Sequence, residues 1–584
     1  MRKQFVGRIR IIAAVLIILS IILLVRLYTL QVVHGDSFRL RAEGQYSTPS
    51  ANYFDRGSIF FSPRHGVPFG AATLDSGFIL AIIPGEIDYP AEVYASLSEY
   101  IDIDSEEFFI KTAKKDDPYE EIKHRVPLEV GRELIAQEIP GVRLYRQQWR
   151  TYPAGKAAAH TVGFIGYGSS NELSGQYGLE RFYDDILTKP NTGLYINFFA
   201  DVFAGIRTSI LNDTTQPGAN VVTGIEPTVQ FFLEDLVTRY KEEWNPREVG
   251  AIILDPSTGE VVALSALPVF DPNKIAEADP STFANPLVEN VYEFGSIVKP
   301  LTVAAGLDAG VITPETTYND KGSAVYDTAR IANYDGKARG VVSMQEVLNQ
   351  SLNTGVAFIV EELGTKQFSD YFDAFAIDKK TGIDLPNEAT PLVANLGSPR
   401  TIEYVTASFG QGIAVTPIAM ARSLATLANN GIVPTPHIAV EFEYPGLLNK
   451  KNIPKPGTSA ISEETNETIT RMLVEVVDTA LRDGTVKIPE MSIAAKTGTA
   501  QIAQKGERGY YDDRYLHSFF GYFPAYDPQF FLFFYAVEPQ GARYASETWT
   551  TPFMEGVHFL TSYYSIQPDR LPAQGVTPLS TTSE

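Results

Sequence analysis

The sequence predicts an α/β fold: an antiparallel sheet covered by helices, preceded by an elongated α+β region and, at the amino terminus, a single transmembrane helix. Three observations carry this reading. Strand–turn–strand signals occur near residue 250 and again near residue 525. Helical signals fill the interval between them. One uncharged apolar run, Ile11–Val25, stands near the start. Strands at both ends of a region with helices inserted fold as a sheet-and-helix sandwich. A chain of 584 residues has room for three or four domains.

The amino-terminal run has Ser20 as its sole polar residue. As a helix it spans about 22 Å, short of the ~30 Å of a bilayer core. Leu27, Tyr28, Leu30, Val32 and Val33 extend the pattern past Arg26, whose charge would snorkel to an interface. Residues 11–33 therefore read as a membrane anchor. Arg2, Lys3, Arg8 and Arg10 place residues 1–10 in the cytoplasm and the body on the outer face of the cytoplasmic membrane. A cleaved signal peptide is the rival reading, but the segment after Val25 is bulky and offers no small-x-small cleavage pattern. A buried soluble helix is the third reading.

Residues 36–220 are mixed, with short alternating stretches, and read as an α+β region. Residues 221–566 carry sharper signals. Val249–Leu254, the turn Asp255-Pro-Ser-Thr-Gly259 and Glu260–Leu264 form strand, turn and strand. Ser518–Phe523 and Phe530–Val537 flank Pro524–Pro528 as a second hairpin. Between them, Ser343-Met-Gln-Glu346 is a capping box. Thr416-Pro417 and Gly431 bracket a helix. Ile469, Met472, Leu473, Val476, Val477 and Ala480 share one helical face after the cap Ser462. Residues 567–584, rich in Pro, Ser and Thr, read as a disordered tail.

Composition excludes several functions. The net charge of −22 repels phosphate backbones, so nucleic acid is not an expected partner. The absence of cysteine removes disulfides, thiolate catalysis and Cys-based metal sites. The seven histidines include no His-Glu-x-x-His. No metal or cofactor is expected.

Three motifs carry the chemistry. Ser296-Ile-Val-Lys299 opens a helical stretch, and residues three apart share a helix face, so the Lys299 amine can reach the Ser296 hydroxyl. As a base that lysine needs a depressed pKa, from burial or from a second cation. Alone, the motif also suits an exposed helix start. Ser351-Leu-Asn353 interrupts an apolar helical pattern and, alone, suits a polar junction between helices. Lys496-Thr-Gly-Thr499 follows small residues, as in a strand that a ligand's backbone approaches closely. It is not a phosphate-binding loop, because the required upstream glycine is missing.

Taken in order, with separations of 55 and 145 residues, these motifs form the Ser-x-x-Lys, Ser-x-Asn, Lys-Thr-Gly set of penicillin-recognising serine enzymes. The chain resembles a class B penicillin-binding protein over nearly its whole length. Arg56-Gly-Ser-Ile59 resembles the family's first pedestal motif, although the usual continuation is replaced by Phe60–Gly66. Arg150-Thr-Tyr-Pro153, Gly155, His160, Gly163-Phe164, Gly166 and Gly178-Leu-Glu180 resemble its later pedestal motifs. Gly382–Pro386, Gly410-Gln-Gly412, Val415-Thr-Pro417 and Ser518-Phe-Phe-Gly521 resemble its transpeptidase segments, and Phe294 stands where proline is common. The resemblance implies a pedestal at 36–220 and a penicillin-binding transpeptidase domain at 221–566.

The resemblance also implies roles. Ser296 would attack the penultimate D-alanine of a peptidoglycan stem peptide and expel the last one. Lys299 would take the serine proton. Ser351 would relay a proton to the leaving amine, and Asn353 would bond the peptide and Lys299. Lys496 would supply positive potential and favour a neutral Lys299, while Thr497, Gly498 and Thr499 would hold the substrate. The backbone N–H groups of Ser296 and Thr499 would form an oxyanion hole. An acceptor amine would then turn the acyl-enzyme into a cross-link, and β-lactam antibiotics would acylate the same serine. Lys496–Gln501, Gly509-Tyr-Tyr511 and Ser518–Gly521 are closer to the septal than to the elongation type. Expected partners are a separate membrane glycosyltransferase and division or elongation proteins. The competing functions are a D-alanyl-D-alanine carboxypeptidase, a β-lactamase and a catalytically silent scaffold of the wall-synthesis machinery.

Overall fold

The computed structural model describes residues 56–168, 173–188, 218–445, 448–504, 506 and 509–570. The expected anchor at 11–33, the segment 1–10 and residues 571–584 of the tail lie outside them. No helix among the described residues is long and apolar enough to cross a membrane. The chain divides into two compact units, one spanning Asp75–Trp149 and the other joining 55–74 to everything from Arg150 onward.

In the smaller unit the strand ending at Ile82 pairs antiparallel with Glu120–Pro127 and also with the strand Val142–Thr151. Helices Pro90–Ser98, Ser105–Thr112 and Leu128–Ala136 accompany them. Phe78, Leu80, Ile82, Leu97, Phe108 and Leu134 form its core.

The larger unit is built on a five-stranded antiparallel sheet. Its strands are β1 (Glu248–Leu254), β2 (Val261–Leu267), β3 (Ala494–Ala503), β4 (Tyr510–Phe523) and β5 (Phe530–Val537). The spatial order is β3-β4-β5-β1-β2, so β3 is an edge. Both expected hairpins are present, and β4 extends eight residues further upstream than its apolar run, through Tyr510–His517.

Every residue of β5 is buried, because helices cover both faces of the sheet. Phe531, Phe533 and Tyr535 pack into one core, and Phe530, Leu532, Phe534 and Ala536 into the other, which is the period of two that a strand imposes. The second core takes α1 (Pro227–Trp244), through Val229, Leu233, Val237 and Tyr240. The first takes α2 (Lys299–Asp308), α3 (Met344–Asn349), α4 (Asn353–Leu363) and α5 (Glu463–Glu475). The last helix, α6 (Thr550–Tyr564), returns to the second core through Phe553, Val557 and Leu560.

The N-caps read from sequence are made, but the capping box expected at Ser343 is only half formed, because the Glu346 carboxylate accepts from the Asn349 and Gln350 amides instead of from the Ser343 N–H. Ser343, Thr416 and Ser462 hydroxyls accept from Glu346, Ala419 and Thr465 N–H groups. The helical face expected to run through Ala480 does so only in part. α5 ends at Glu475 and widens into a π turn over Val476–Ala480. The extra residue per turn keeps Val476, Val477 and Leu481 buried while the chain turns toward β3.

The pedestal motifs within this unit converge on one buried carboxylate. Glu180, fully buried, accepts from Arg56 Nε at 2.7 Å and from Arg150 Nε at 2.6 Å. Arg56 also reaches Asp184 at 2.7 Å, and Arg150 reaches the Gly57 carbonyl at 2.8 Å. Gly57 lies so close to the Ala219 carbonyl that a Cβ would sit 2.0 Å from its oxygen. Removing one partner of a buried ion cluster strands the others. Glu180→Ala is therefore expected to destabilise the protein by about 3–5 kcal/mol. Thermal unfolding of the purified variant checks this, and an unchanged transition would mean the two arginines are solvated.

Candidate active site

The nucleophile turn comes first. Gly295–Val298 is a short 3-10 segment that runs directly into α2, so Ser296 stands one turn before the helix and is half-buried. Pro300 lies in the first turn of α2, where its missing N–H costs nothing. Gly295 has φ +66, and a Cβ there would meet the Thr499 carbonyl oxygen at 2.9 Å. Gly410, with φ +78, approaches so closely that its Cβ would meet the Gly295 oxygen at 2.3 Å, and the Gly295 N–H donates to the Gly410 carbonyl. Phe294, where the family usually has proline, is fully buried with its ring 5.4 Å from that of Phe533 and edge-on to it. The bulky ring thus anchors the turn to the centre of the sheet.

The edge strand β3 lies along this turn. In the Lys496–Thr499 segment Lys496 and Gly498 are buried, whereas Thr497 and Thr499 are partly open. A Cβ on Gly498 would lie 2.4 Å from Ser518 Oγ and 2.8 Å from the Phe294 carbonyl. Ser518, on the neighbouring β4, donates to that same Phe294 carbonyl at 2.8 Å and locks strand to turn. Thr499 Oγ1 accepts from the Ala545 N–H at 3.0 Å, which leaves its own hydrogen free to donate.

The third element is the junction between α3 and α4. Ser351 sits there in the left-handed region, φ +54, a conformation rare for a non-glycine residue. This turns both its carbonyl and its hydroxyl toward the lysines. Lys299 Nζ donates to the Ser351 carbonyl at 2.5 Å and to Ser351 Oγ at 3.1 Å, and Lys496 Nζ reaches the same Oγ at 3.2 Å. Lys496 also donates to the Thr497 carbonyl at 3.0 Å.

Two differences from the sequence expectation stand out. Among the described residues Lys299 bonds Ser351 and makes no hydrogen bond to Ser296. The left-handed Ser351 presents two acceptors to its amine. Asn353, the first residue of α4, likewise makes none to Lys299. Its amide donates to the Ala332 carbonyl at 2.8 Å, which fixes the start of α4 to a neighbouring hairpin.

The electrostatics follow from burial. Lys299 is wholly buried; desolvation first, and the charge of Lys496 second, push its amine well below the ordinary lysine range. Burial pushes Lys496 down to about 8. An amine whose charged form burial disfavours, a hydroxyl shared between two lysines and a half-buried serine beside a sheet edge together form a site for nucleophilic acyl transfer. Sequence reasoning assigned no role to Ser518, Gly410 or Glu293. The first two were visible as motif residues, but only the fold reveals what they touch.

Comparison with known proteins agrees with this geometry. Residues 249–556 match the penicillin-binding protein transpeptidase domain, and residues 57–222 match the penicillin-binding protein dimerisation domain. The stage V sporulation protein D of Bacillus subtilis is 30% identical over 576 residues, covering 96% of this chain and 85% of that protein. The peptidoglycan D,D-transpeptidase FtsI of Escherichia coli is 28% identical, covering 74% and 70%. The crystal structure of apo penicillin-binding protein 3 from Mycobacterium tuberculosis superposes with a TM-score of 0.64 at 25% identity, over 73% of this chain and 94% of that one. With the three motifs brought to one place on this fold, the chain belongs to the class B penicillin-binding proteins.

Proposed function

We propose that the protein is a serine D,D-transpeptidase that cross-links peptidoglycan and is acylated by β-lactams at the same serine. The observation that carries this is the depressed, buried Lys299 amine, held through Ser351 beside Lys496 and one helical turn from Ser296. Ser296 Oγ forms a bond to the penultimate D-alanine carbonyl carbon and transfers its proton to Lys299. The carbon–nitrogen bond breaks, and the terminal D-alanine leaves with a proton relayed through Ser351. Thr499 and Ser296 N–H groups stabilise the oxyanion, while Lys496, Thr497 and Thr499 hold the substrate carboxylate. Asn353 positions the peptide. An acceptor amine on a second stem peptide then attacks the ester and releases Ser296.

Incubation with a stem-peptide donor, with and without an acceptor amine, tests the reaction type. Amide-linked product appearing only with the acceptor supports transpeptidation. Free acid in equal yield with and without acceptor makes the protein a carboxypeptidase. No covalent adduct with donor or penicillin makes it a silent scaffold.

Residues 11–33 anchor the chain in the cytoplasmic membrane, with residues 1–10 inside and the catalytic domain outside. The uncharged run and its basic flank support this. N-terminal sequencing of the mature protein is expected to find the anchor intact, and a start near residue 30 would overturn it. Relatives named FtsI support a role in division, with a separate membrane glycosyltransferase and division proteins as partners.

A further inference from the structure

The turn that presents Ser296 is pinned residue by residue. Tyr292 exchanges backbone hydrogen bonds with Val415, the Phe294 carbonyl accepts from Ser518, and the Gly295 N–H donates to Gly410. Each of these links uses a backbone group. Glu293, between them, is held differently. Its Oε2 accepts from the Tyr510 hydroxyl at 2.9 Å, and the Gly412 N–H faces the same carboxyl. Tyr510 heads β4, the strand paired to the Lys496–Thr499 segment. Gly412 ends the turn whose first residue, Gly410, touches Gly295. One carboxyl thus bonds Tyr510 at the head of β4 and borders the Gly410–Gly412 turn, beside the segment bearing the nucleophile.

The group is also costly as a simple brace. Among the described residues no lysine or arginine pairs with Glu293, and a buried carboxyl without a countercharge is unfavourable.

We propose that Glu293 is a positioning residue for Ser296, clamping Tyr510 and the Gly410–Gly412 turn to the nucleophile turn through a carboxyl that must be ionised to hold both. This rests on the acyl-enzyme reading above. Burial raises the carboxyl to about 7, while its two donors favour the charged form. Protonation turns an acceptor for two donors into a group that must place a hydrogen of its own, so the clamp loosens as pH falls through neutrality. The titratable groups around it are few. Tyr510 is pushed up by burial and by Glu293 itself, and Glu403, on the helix Thr401–Ala407, faces Tyr510. Tyr292, next in the chain, is committed to Glu248, which Tyr535 also bonds.

The test is pre-steady-state acylation of the full chain in detergent by a fluorescent penicillin, across the neutral pH range. It separates the non-covalent Kd from the acylation rate constant. Glu293→Ala and Tyr510→Phe are each expected to slow acylation about tenfold, the scale of a small misplacement of reacting groups. The Kd should stay unmoved, and the double variant should be no slower than the slower single, since both break one link. Glu293→Gln, isosteric and uncharged, is expected to lose the component of the acid limb near neutrality, and it serves where the alanine variant does not fold. Acylation within about threefold of wild type, effects that multiply in the double variant, or an unchanged pH profile in Glu293→Gln would overturn the proposal. If the wild-type chain takes no adduct on Ser296, the acyl-enzyme reading fails and the proposal falls with it, an outcome that mass spectrometry of the wild type alone identifies.

Discussion

Ser296→Ala is expected to abolish penicillin labelling while the protein stays folded. Ser296 is half-buried, and its hydroxyl makes no hydrogen bond among the described residues, so its removal leaves no buried partner unsatisfied. The turn is held by Phe294, Gly295 and Ser518, which the substitution leaves in place. Loss of a serine nucleophile costs on the order of 10⁶ in rate in enzymes of this chemistry. No adduct mass should therefore appear on the variant, whereas the wild-type chain should carry it on the peptide containing Ser296. Labelling that survives and maps to Ser351 would transfer the nucleophile role to the second motif.

Lys496→Ala is expected to slow acylation twice over. Among the described residues its charge is the sole side-chain cation that lowers the Lys299 pKa, acting after burial itself. Removing it stabilises protonated Lys299, so that pKa rises and the acid limb of the rate profile moves to higher pH. A lost charge-assisted bond to the substrate carboxylate adds about 1.5–3 kcal/mol, or roughly one to two decades in rate. An exposed strand-end lysine would be worth only about 0.5 kcal/mol, but Lys496 is 3% exposed and touches Ser351. The measurement is the second-order acylation rate of the variant against pH. A rate within about threefold of wild type with an unmoved limb would reduce Lys496 to a packing residue.

Much of the site was legible because its chemistry is written in short, local patterns. Ser296 and Lys299 share a turn, Ser351 and Asn353 flank a helix start, and Lys496–Thr499 is one strand. The hairpins and caps were legible for the same reason, since alternation and capping are properties of neighbouring residues. What was not legible depends on distant partners or on backbone geometry. Nothing local says that Ser351 adopts a left-handed conformation, yet this directs Lys299 to the second motif instead of to Ser296. Nothing near Glu293 reveals Tyr510, which lies 217 residues away. The π turn at Val476–Ala480 has a helical pattern in sequence, and only the folded backbone shows where it departs from an α-helix. The proline-to-phenylalanine change at Phe294 was visible, but its use as an anchor against Phe533 required the sheet order.

The glycine contacts of the active site bear on how the protein can change under antibiotic pressure. At 295 and 410 the missing Cβ would strike main-chain atoms, and at 498 a main-chain oxygen as well as the serine that locks the strand. A main chain cannot rotate aside as a side chain does, so any replacement there moves the nucleophile itself and harms reaction with the natural peptide as much as with the drug. Discrimination between the two must instead evolve at residues whose side chains border the cleft without touching this backbone knot. The walls of the site can drift in sequence, while the glycine scaffold that holds Ser296 cannot.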